Sequence, residues 1–238
     1  KRANNAPLPK TYLIDMKYEG GKFLSKELIS KINDRLAKKE QVILLLNRRG
    51  FSTFVTCSNC GYTYKCPNCD ITLTYHKTSN SLRCHYCSYN IKKDEMCPNC
   101  NEDALNYLGL GTQKVEEELK TLFKGANIIR MDQDTTSKKG SYQRIIDDFS
   151  AHKYDILLGT QMISKGLDFS LVTLVGIINA DTSLNIPDFR ANEKTFSLLY
   201  QTSGRAGRGN APGEVLIQTF NPDNKVLEYV KNNDYESF

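Results

Sequence analysis

No apolar run in this chain approaches the roughly 18 residues that a bilayer-spanning helix needs, which excludes such a helix. Lys1–Lys10 lacks the apolar stretch of a secretory signal, and the chain does not open on Met, so an excerpt or a processed product is expected. The phosphate-cradling pattern G-x-x-x-x-G-K-[ST] is missing. Gly20-Gly21-Lys22-Phe23 has the wrong spacing and no following Ser or Thr. An Asp-Glu pair behind an apolar strand is missing too. Phosphoryl transfer from a nucleoside triphosphate needs a phosphate cradle, a magnesium site and a charge stabiliser, so this chain alone supplies half of such a site at most. No repeat of solenoid period is present.

What the chain does contain is ordinary in bulk. Its 238 residues, 39% apolar and 25% charged, describe one or two globular domains with enough length for a proper core. A net charge of +5 is a mild bias towards polyanions. The exception is cysteine. The eight cysteines form four Cys-x-x-Cys pairs: Cys57/Cys60, Cys66/Cys69, Cys84/Cys87 and Cys97/Cys100. A two-residue gap lets two thiolates reach one tetrahedral ion from a single tight turn, and Pro67 and Pro98 help preset that turn. Without a secretory signal a reducing, cytoplasmic setting is expected, where such cysteines hold metal rather than disulfides. Four pairs make two four-cysteine sites, expected to hold structural zinc; disulfides or an iron–sulfur cluster are the alternatives, since Cys-Pro-x-Cys pairs also occur around iron.

Sequence alone permits three ways of joining the pairs. The inner two are separated by fourteen residues, Asp70–Arg83, close to the usual ribbon spacing of about 15–20. That joins Cys66/Cys69 to Cys84/Cys87 and leaves Cys57/Cys60 with Cys97/Cys100, a nested arrangement whose outer site staples entrance to exit. His76 and His85 read as ordinary surface residues. Five basic side chains stand against three acidic ones between Cys57 and Cys100, and each four-thiolate zinc site adds negative charge, so the module is no strong DNA clamp. Tyr62, Tyr64, Tyr75, Tyr86 and Tyr89 are expected to pack on the knuckles or present a protein-docking face rather than stack on bases.

Around this cysteine-rich stretch, 57–100, the pattern is β/α. Residues 1–10 read as a linker. Short apolar strands are predicted at Thr11–Asp15, Gln41–Leu46, Ile128–Met131, Asp155–Leu158, Leu171–Ile178 and Glu214–Phe220. Helices are predicted from a Ser25 cap to Lys39, from a Thr112 cap to Phe123, from a Ser141 cap to Ala151, over Ala191–Ser203 and over Pro222–Lys231. Near-continuous apolar runs fit strands buried on both faces of a parallel sheet. The fold class is therefore α/β, with one lobe from 11–56 and 101–238 and an inserted zinc module that lacks the apolar periodicity to build its own core. Ligands of such sheets bind at the carboxyl ends of strands, where Asn47–Gly50, Gly159–Asp168 and Asp181 should gather.

The most informative stretch is Gln201–Gly209, Gln-Thr-Ser-Gly-Arg-Ala-Gly-Arg-Gly. Three-residue spacing would put Arg205 and Arg208 on one face of a helix, and Gly204 and Gly207 would let a backbone or a phosphate come close. Guanidinium groups offer a planar donor fork that fits phosphate oxygens. Upstream, Ile156–Phe169 is an apolar strand running into a polar turn. The two stretches resemble motifs V and VI of superfamily 2 helicases. With Asn47–Gly50, the eight cysteines, Gly109–Glu118, Arg130–Thr136, Gly159–Asp181 and Phe189–Gly209 in this order, nearly the whole chain resembles the PriA-type replication-restart helicases. Leu167 departs from that family's pattern, in which a polar residue, often His, stands.

The resemblance implies a RecA-like second helicase lobe, part of an ATP-dependent 3′–5′ DNA helicase that acts at stalled forks and helps load the replicative helicase. PriA-type helicases also nest their zinc pairs. Arg205 and Arg208 would then reach the β/γ-phosphates of ATP with magnesium once a first lobe closes, and Gln201 would orient that segment and the attacking water. Gly166 and Asp168 would line the ribose side. Thr160, the helix start at Gly111-Thr112, and Arg48 and Arg49 would meet DNA phosphates, giving binding insensitive to sequence and sensitive to salt. Implied partners are forked and single-stranded DNA, single-stranded DNA-binding protein and primosome and helicase-loading proteins. A monomer in the bacterial cytoplasm, associated with the nucleoid at forks, is expected. The rival reading is a non-enzymatic zinc adaptor on an α/β scaffold, against which Arg205, Arg208 and Gly159–Asp168 speak.

Overall fold

In the computed structural model, residues 8–46, 54–106, 112–164, 169–209 and 211–238 are described. In chain order the lobe begins with β1 (Lys10–Asp15), α1 (Lys26–Ala37) and β2 (Gln41–Leu45). The module follows with β3 (Thr56–Cys57), β4 (Thr74–His76), β5 (Ser81–Arg83), β6 (Asn90–Lys92) and β7 (Leu105–Asn106). The lobe resumes with α2 (Thr112–Leu122), β8 (Ile128–Met131), α3 (Ser141–Ser150), β9 (Ile156–Gly159) and β10 (Val172–Ile177). It ends with α4 (Asp181–Leu184), α5 (Ala191–Ser203), β11 (Glu214–Thr219) and α6 (Lys225–Asn232).

Six strands form one parallel sheet in the order β1-β11-β10-β2-β9-β8, as the β/α alternation predicts. Period-two alternation divides its side chains between two cores. On one face Ile43, Leu45, Leu157, Val175, Val215 and Ile217 pack under α3, α5 and α6 through Phe149, Phe196, Leu199 and Leu227. On the other, Val42, Leu44, Ile156, Leu158, Leu174 and Leu216 pack under α1 and α2 through Leu28, Ile32, Val115 and Leu119. A Cβ on Gly176 would lie 2.7 Å from Leu44 Cδ2 and 2.9 Å from Leu28 Cδ1, so α1 rides on the sheet where β10 has no side chain. Ser25 caps α1 as expected, its hydroxyl accepting the Leu28 N–H at 3.1 Å. The same residue's N–H donates to Gln218 Oε1, while Gln218 Nε2 donates to Phe23 O and Ile178 O at 2.7 and 2.8 Å. This buried amide ties the start of α1 to the carboxyl ends of β10 and β11.

Three helix starts differ from the expected ones. Ser141 is the first residue of α3 rather than its cap. The cap is Gly140, at φ +84° and without a side-chain bond. Helix α6 starts at Lys225, capped by Asn224, after a turn through Pro222. Thr112 is already helical and buried, and its hydroxyl donates to Asp132 Oδ2 at 2.6 Å instead of capping. Helix α4 was not expected, since four residues are too short to show a period.

The module does have a small core. Val55, Tyr64, Leu73, Leu82 and Leu105 cluster with Cys57, Cys66, Cys84 and Cys97. Strands of two and three residues are too short to print an alternation on the sequence, so the thiols supply much of the apolar interior. Of its tyrosines, Tyr64 is buried and donates to Asp94 at 2.8 Å, Tyr62 packs edge-on to it, and Tyr75 and Tyr89 pack against the cluster. Only Tyr86, among the tyrosines discussed above, is exposed.

Candidate functional site

All four Cys-x-x-Cys pairs adopt the same turn. The first cysteine's N–H donates to the carbonyl five residues on: Cys57 to Tyr62, Cys66 to Ile71, Cys84 to Tyr89 and Cys97 to Glu102, at 2.8–2.9 Å. Its carbonyl accepts the N–H four residues on, from Gly61, Asp70, Ser88 and Asn101. Those four residues all have positive φ, at 76°, 51°, 61° and 57°. Glycine, aspartate and asparagine are among the residues that tolerate that region best. The residue after each second cysteine was thus a further signal for the turn, unused in reading the sequence.

The turns converge in two tetrads, Cys57/Cys60/Cys97/Cys100 and Cys66/Cys69/Cys84/Cys87, with the Sγ atoms of each within 4.8 Å of one another. This is the nested pairing. Cys57–Cys100 and Cys60–Cys97 lie at 3.6 Å and Cys66–Cys87 at 3.4 Å, far beyond a disulfide bond. A tetrahedral ion with Zn–S bonds of about 2.3 Å needs sulfur–sulfur edges near 3.8 Å, so both tetrads fit zinc. Burial pushes the Cys57 thiol up to about 12, whereas the Tyr89 N–H and the Asn68 amide hold Cys87 down to about 6. A cation is what would draw all four thiols of a site into the thiolate form. His76 and His85 belong to neither tetrad. Their rings stand 5.5 Å apart, and His76 is half-buried rather than an ordinary surface residue.

Arg205 and Arg208 do not share a helix face. Helix α5 ends at Ser203 with Gly204 as its cap, and both arginines follow in a turn, half-buried. Arg205 Nη2 donates to Ser164 O at 2.5 Å, and Arg208 Nε to Gly204 O at 3.0 Å. The glycines here serve backbone approach. Gly207 has φ +68°, and a Cβ on it would lie 2.3 Å from Gly213 N. One on Gly209 would meet Ser170 O at 2.3 Å. The Gly207 N–H also donates to Val172 O at 2.9 Å. The arginine turn is therefore pinned at the amino end of β10, and Arg205 reaches from it to Ser164. Gln201 lies exposed one turn earlier, its amide donating to Ser197 at 3.1 Å.

The carboxyl edge holds a different set. Gly159 closes β9, and a Cβ there would lie 2.4 Å from Ile163 Cγ2, so the chain can turn at once into Gln161–Ser164. Thr160 sits at that corner, its N–H donating to Met131 O at 3.2 Å. Asp181 also lies on this edge but as a buried acceptor, taking Thr219 Oγ1 at 2.9 Å and the Phe220 N–H at 2.8 Å. Of the groups expected on one edge, Gly159–Ser164 and Asp181 follow strands there, while 47–50 and 165–168 lie outside the described residues; Thr112 joins that edge and the arginine turn lies away from it. Arg48, Arg49, Gly111, Gly166 and Asp168 lie outside the described residues. Asp132, at the end of β8 between Thr112 and Thr135, carried no role in the sequence reading.

Residues 66–92 match the model of the PriA DNA helicase Cys-rich region (CRR) domain, and residues 99–210 that of the helicase conserved C-terminal domain. The chain is 49% identical over 241 residues to the replication restart protein PriA of Bacillus subtilis, covering all of this chain and 30% of that protein. It is 43% identical to the PriA of Synechocystis and 46% identical to that of Chlamydia trachomatis, covering 30% and 32% of them. The chain thus spans about a third of the length of these relatives. Among solved structures, RecG bound to a three-way DNA junction aligns with 98% of this chain and 21% of that one, at a TM-score of 0.54 and 13% identity, a likeness of fold.

Proposed function

This chain belongs to the PriA-type replication restart helicases, as a helicase C-terminal lobe with its cysteine-rich module, and from that premise we propose how its residues work in the whole protein. The lobe is the second half of an ATP-dependent 3′–5′ DNA helicase motor. ATP with magnesium binds mainly to a first lobe, and closure brings the arginine turn onto the triphosphate. Arg205 and Arg208 meet the β/γ-phosphate oxygens, Gln201 orients that segment and the attacking water, and Gly166 and Asp168 line the ribose side. A guanidinium aimed at developing charge acts without reorganising, and the bonds from Arg205 to Ser164 O and from Arg208 to Gly204 O hold both forks in advance.

DNA phosphates run along the carboxyl edge, past Thr160 and the start of α2 at Thr112, and Gly111, Arg48 and Arg49 are further phosphate contacts on this reading. None of these groups reads a base edge, so binding follows fork shape and salt rather than sequence. The two zinc sites are structural. Single-stranded DNA-binding protein and primosome and helicase-loading proteins are the partners this role calls for, with the whole protein acting as a monomer at forks in the cytoplasm. Among the described residues, no helix is long and apolar enough to cross a membrane.

What carries this reading is the arginine turn tied to Ser164, because a zinc adaptor has no use for two half-buried guanidinium groups, one of them held on a motif V-like segment. The isolated chain should hydrolyse no ATP, with or without single-stranded DNA, while the full-length protein does. Turnover by the isolated chain above an Arg205→Ala control would overturn the division of the site between two lobes.

A further inference from the structure

Asp132 follows β8 at the carboxyl edge, and both its carboxylate oxygens are engaged. Oδ2 accepts the Thr112 hydroxyl at 2.6 Å, and Oδ1 accepts the Thr135 N–H at 3.0 Å. Arg130 Nε stands 3.4 Å from Oδ2 and 3.3 Å from Glu116, which also holds Lys120. The Asp132 N–H donates to Thr135 Oγ1, and its carbonyl accepts the Thr136 hydroxyl at 2.6 Å. That hydroxyl also lies 3.6 Å from Met162 Sδ, in the turn that follows Thr160. One residue earlier, Met131 O takes the Thr160 N–H. Burial opposes ionisation of Asp132, but the Thr112 hydroxyl, the Thr135 N–H and Arg130 outweigh it and hold the carboxyl below its ordinary value.

We propose that Asp132 is a positioning residue for nucleic-acid engagement: it fixes the first turn of α2 through Thr112 and supports the corner that carries Thr160, without touching DNA itself. The inference rests on the reading that Thr160 and the start of α2 meet DNA phosphates. A carboxylate this enclosed, 5% exposed, is shielded from a ligand at the surface and would repel a phosphate at contact. Its charge instead sits at the positive end of α2, where an anion is favourable, and Arg130 offsets the rest. The two DNA-facing elements come from sequence positions 48 residues apart, and the Met131-Asp132 dipeptide is where both are fastened.

The test uses the full-length protein and reads the single-stranded DNA concentration that half-saturates ATPase stimulation, together with kcat at saturating DNA and Tm. Asp132→Asn should raise the half-saturating concentration about tenfold, the worth of one charge-assisted hydrogen bond, with kcat changed less than about twofold. Thr112→Val should do the same, and the double variant should be no worse than either single one, because both remove one interaction. Additive losses would overturn the proposal, as would a fall in Tm and kcat with half-saturation unmoved. Thr160→Ala separates the premise from the inference. If it raises the half-saturating concentration and Asp132→Asn does not, the positioning role fails. If neither does, the DNA-facing reading fails and takes the inference with it. Should Asp132→Asn not fold, Thr136→Val decides, because it removes the bond to Asp132 O that supports the Thr160 corner and alters no DNA-facing residue: a rise supports the role and no change overturns it.

Discussion

Gly61, in the outer zinc turn, lies so close to Phe220 that a Cβ on the glycine would sit 2.2 Å from the phenylalanine Cβ. Phe220 follows β11, and its N–H is held by the buried carboxylate of Asp181 at 2.8 Å. The module is therefore seated on the carboxyl edge of the sheet at one defined point, through a residue whose φ of 76° already favours glycine. Gly61→Ala meets both obstacles and should cost on the order of 1–3 kcal/mol of module seating. Limited proteolysis across residues 54–106 checks this. Cleavage no faster than in the parent chain would mean that the module is not held at Phe220.

Metal content follows from the nested tetrads. Elemental analysis should give two zinc ions per chain. Cys84→Ser should remove the inner ion and leave the outer one, with far-UV circular dichroism of the β/α lobe retained. Structural zinc contributes on the order of 10–16 kcal/mol in small peptides, so loss of the inner site should unfold β4–β6. One ion in a reduced, metal-replete sample would contradict two sites, and loss of the outer ion first would contradict the pairing seen in the tetrads.

In the full-length protein, Arg208→Lys keeps the charge and loses the planar fork that Nε and Gly204 O hold in place. An arginine meeting charge on a transferring phosphoryl group supplies on the order of 10³–10⁵ in rate, so DNA-stimulated turnover and unwinding should collapse. ATP and DNA affinities should change little if, as proposed, a first lobe supplies most nucleotide contacts and several other groups share the DNA. Unwinding near the parent rate would make Arg208 a structural residue.

Asp181 gives a pH dependence. Burial pushes its carboxyl above the ordinary carboxylate range, with the Asp15 charge adding to the push and the Phe220 N–H and Thr219 hydroxyl opposing it. A group whose folded pKa is raised favours the folded state while protonated. Its contribution is present below the ordinary value of about 3.9 and is lost as pH rises through the raised one. Asp181→Asn cannot ionise and escapes that loss. The Tm difference, variant minus parent, should therefore grow more positive as pH rises from acid to neutral. A difference independent of pH would show that Asp181 is not the titrating group.

Much of this molecule was legible in the chain itself. Apolar runs marked all six lobe strands, and Ala191–Ser203 was read as a helix with the bounds it has, because burial under the sheet prints a period on any element longer than a few residues. Helix α4 and the module's strands were not legible for the converse reason, since two to four residues carry no period. The cysteine spacing determined four metal-binding turns, because each turn closes within six residues and needs nothing from elsewhere.

Which turns share an ion, by contrast, is a contact across 37 and 43 residues in the outer site; the fourteen-residue gap favoured one of three pairings, and the fold brings Cys60 to Cys97 and Cys57 to Cys100 in that arrangement. The arginine turn shows the same division. The residue types announced phosphate chemistry, yet their place at the amino end of β10, rather than on the carboxyl edge, depends on Gly207 meeting Gly213 and Arg205 meeting Ser164. Asp132 is the extreme case. A polar residue at a strand end has no local signature, and only packing α2 against β8 gives its carboxylate the Thr112 hydroxyl to hold. Local hydrogen bonds and periodic burial are written in neighbouring residues, whereas a contact between distant segments exists only once the chain between them has closed.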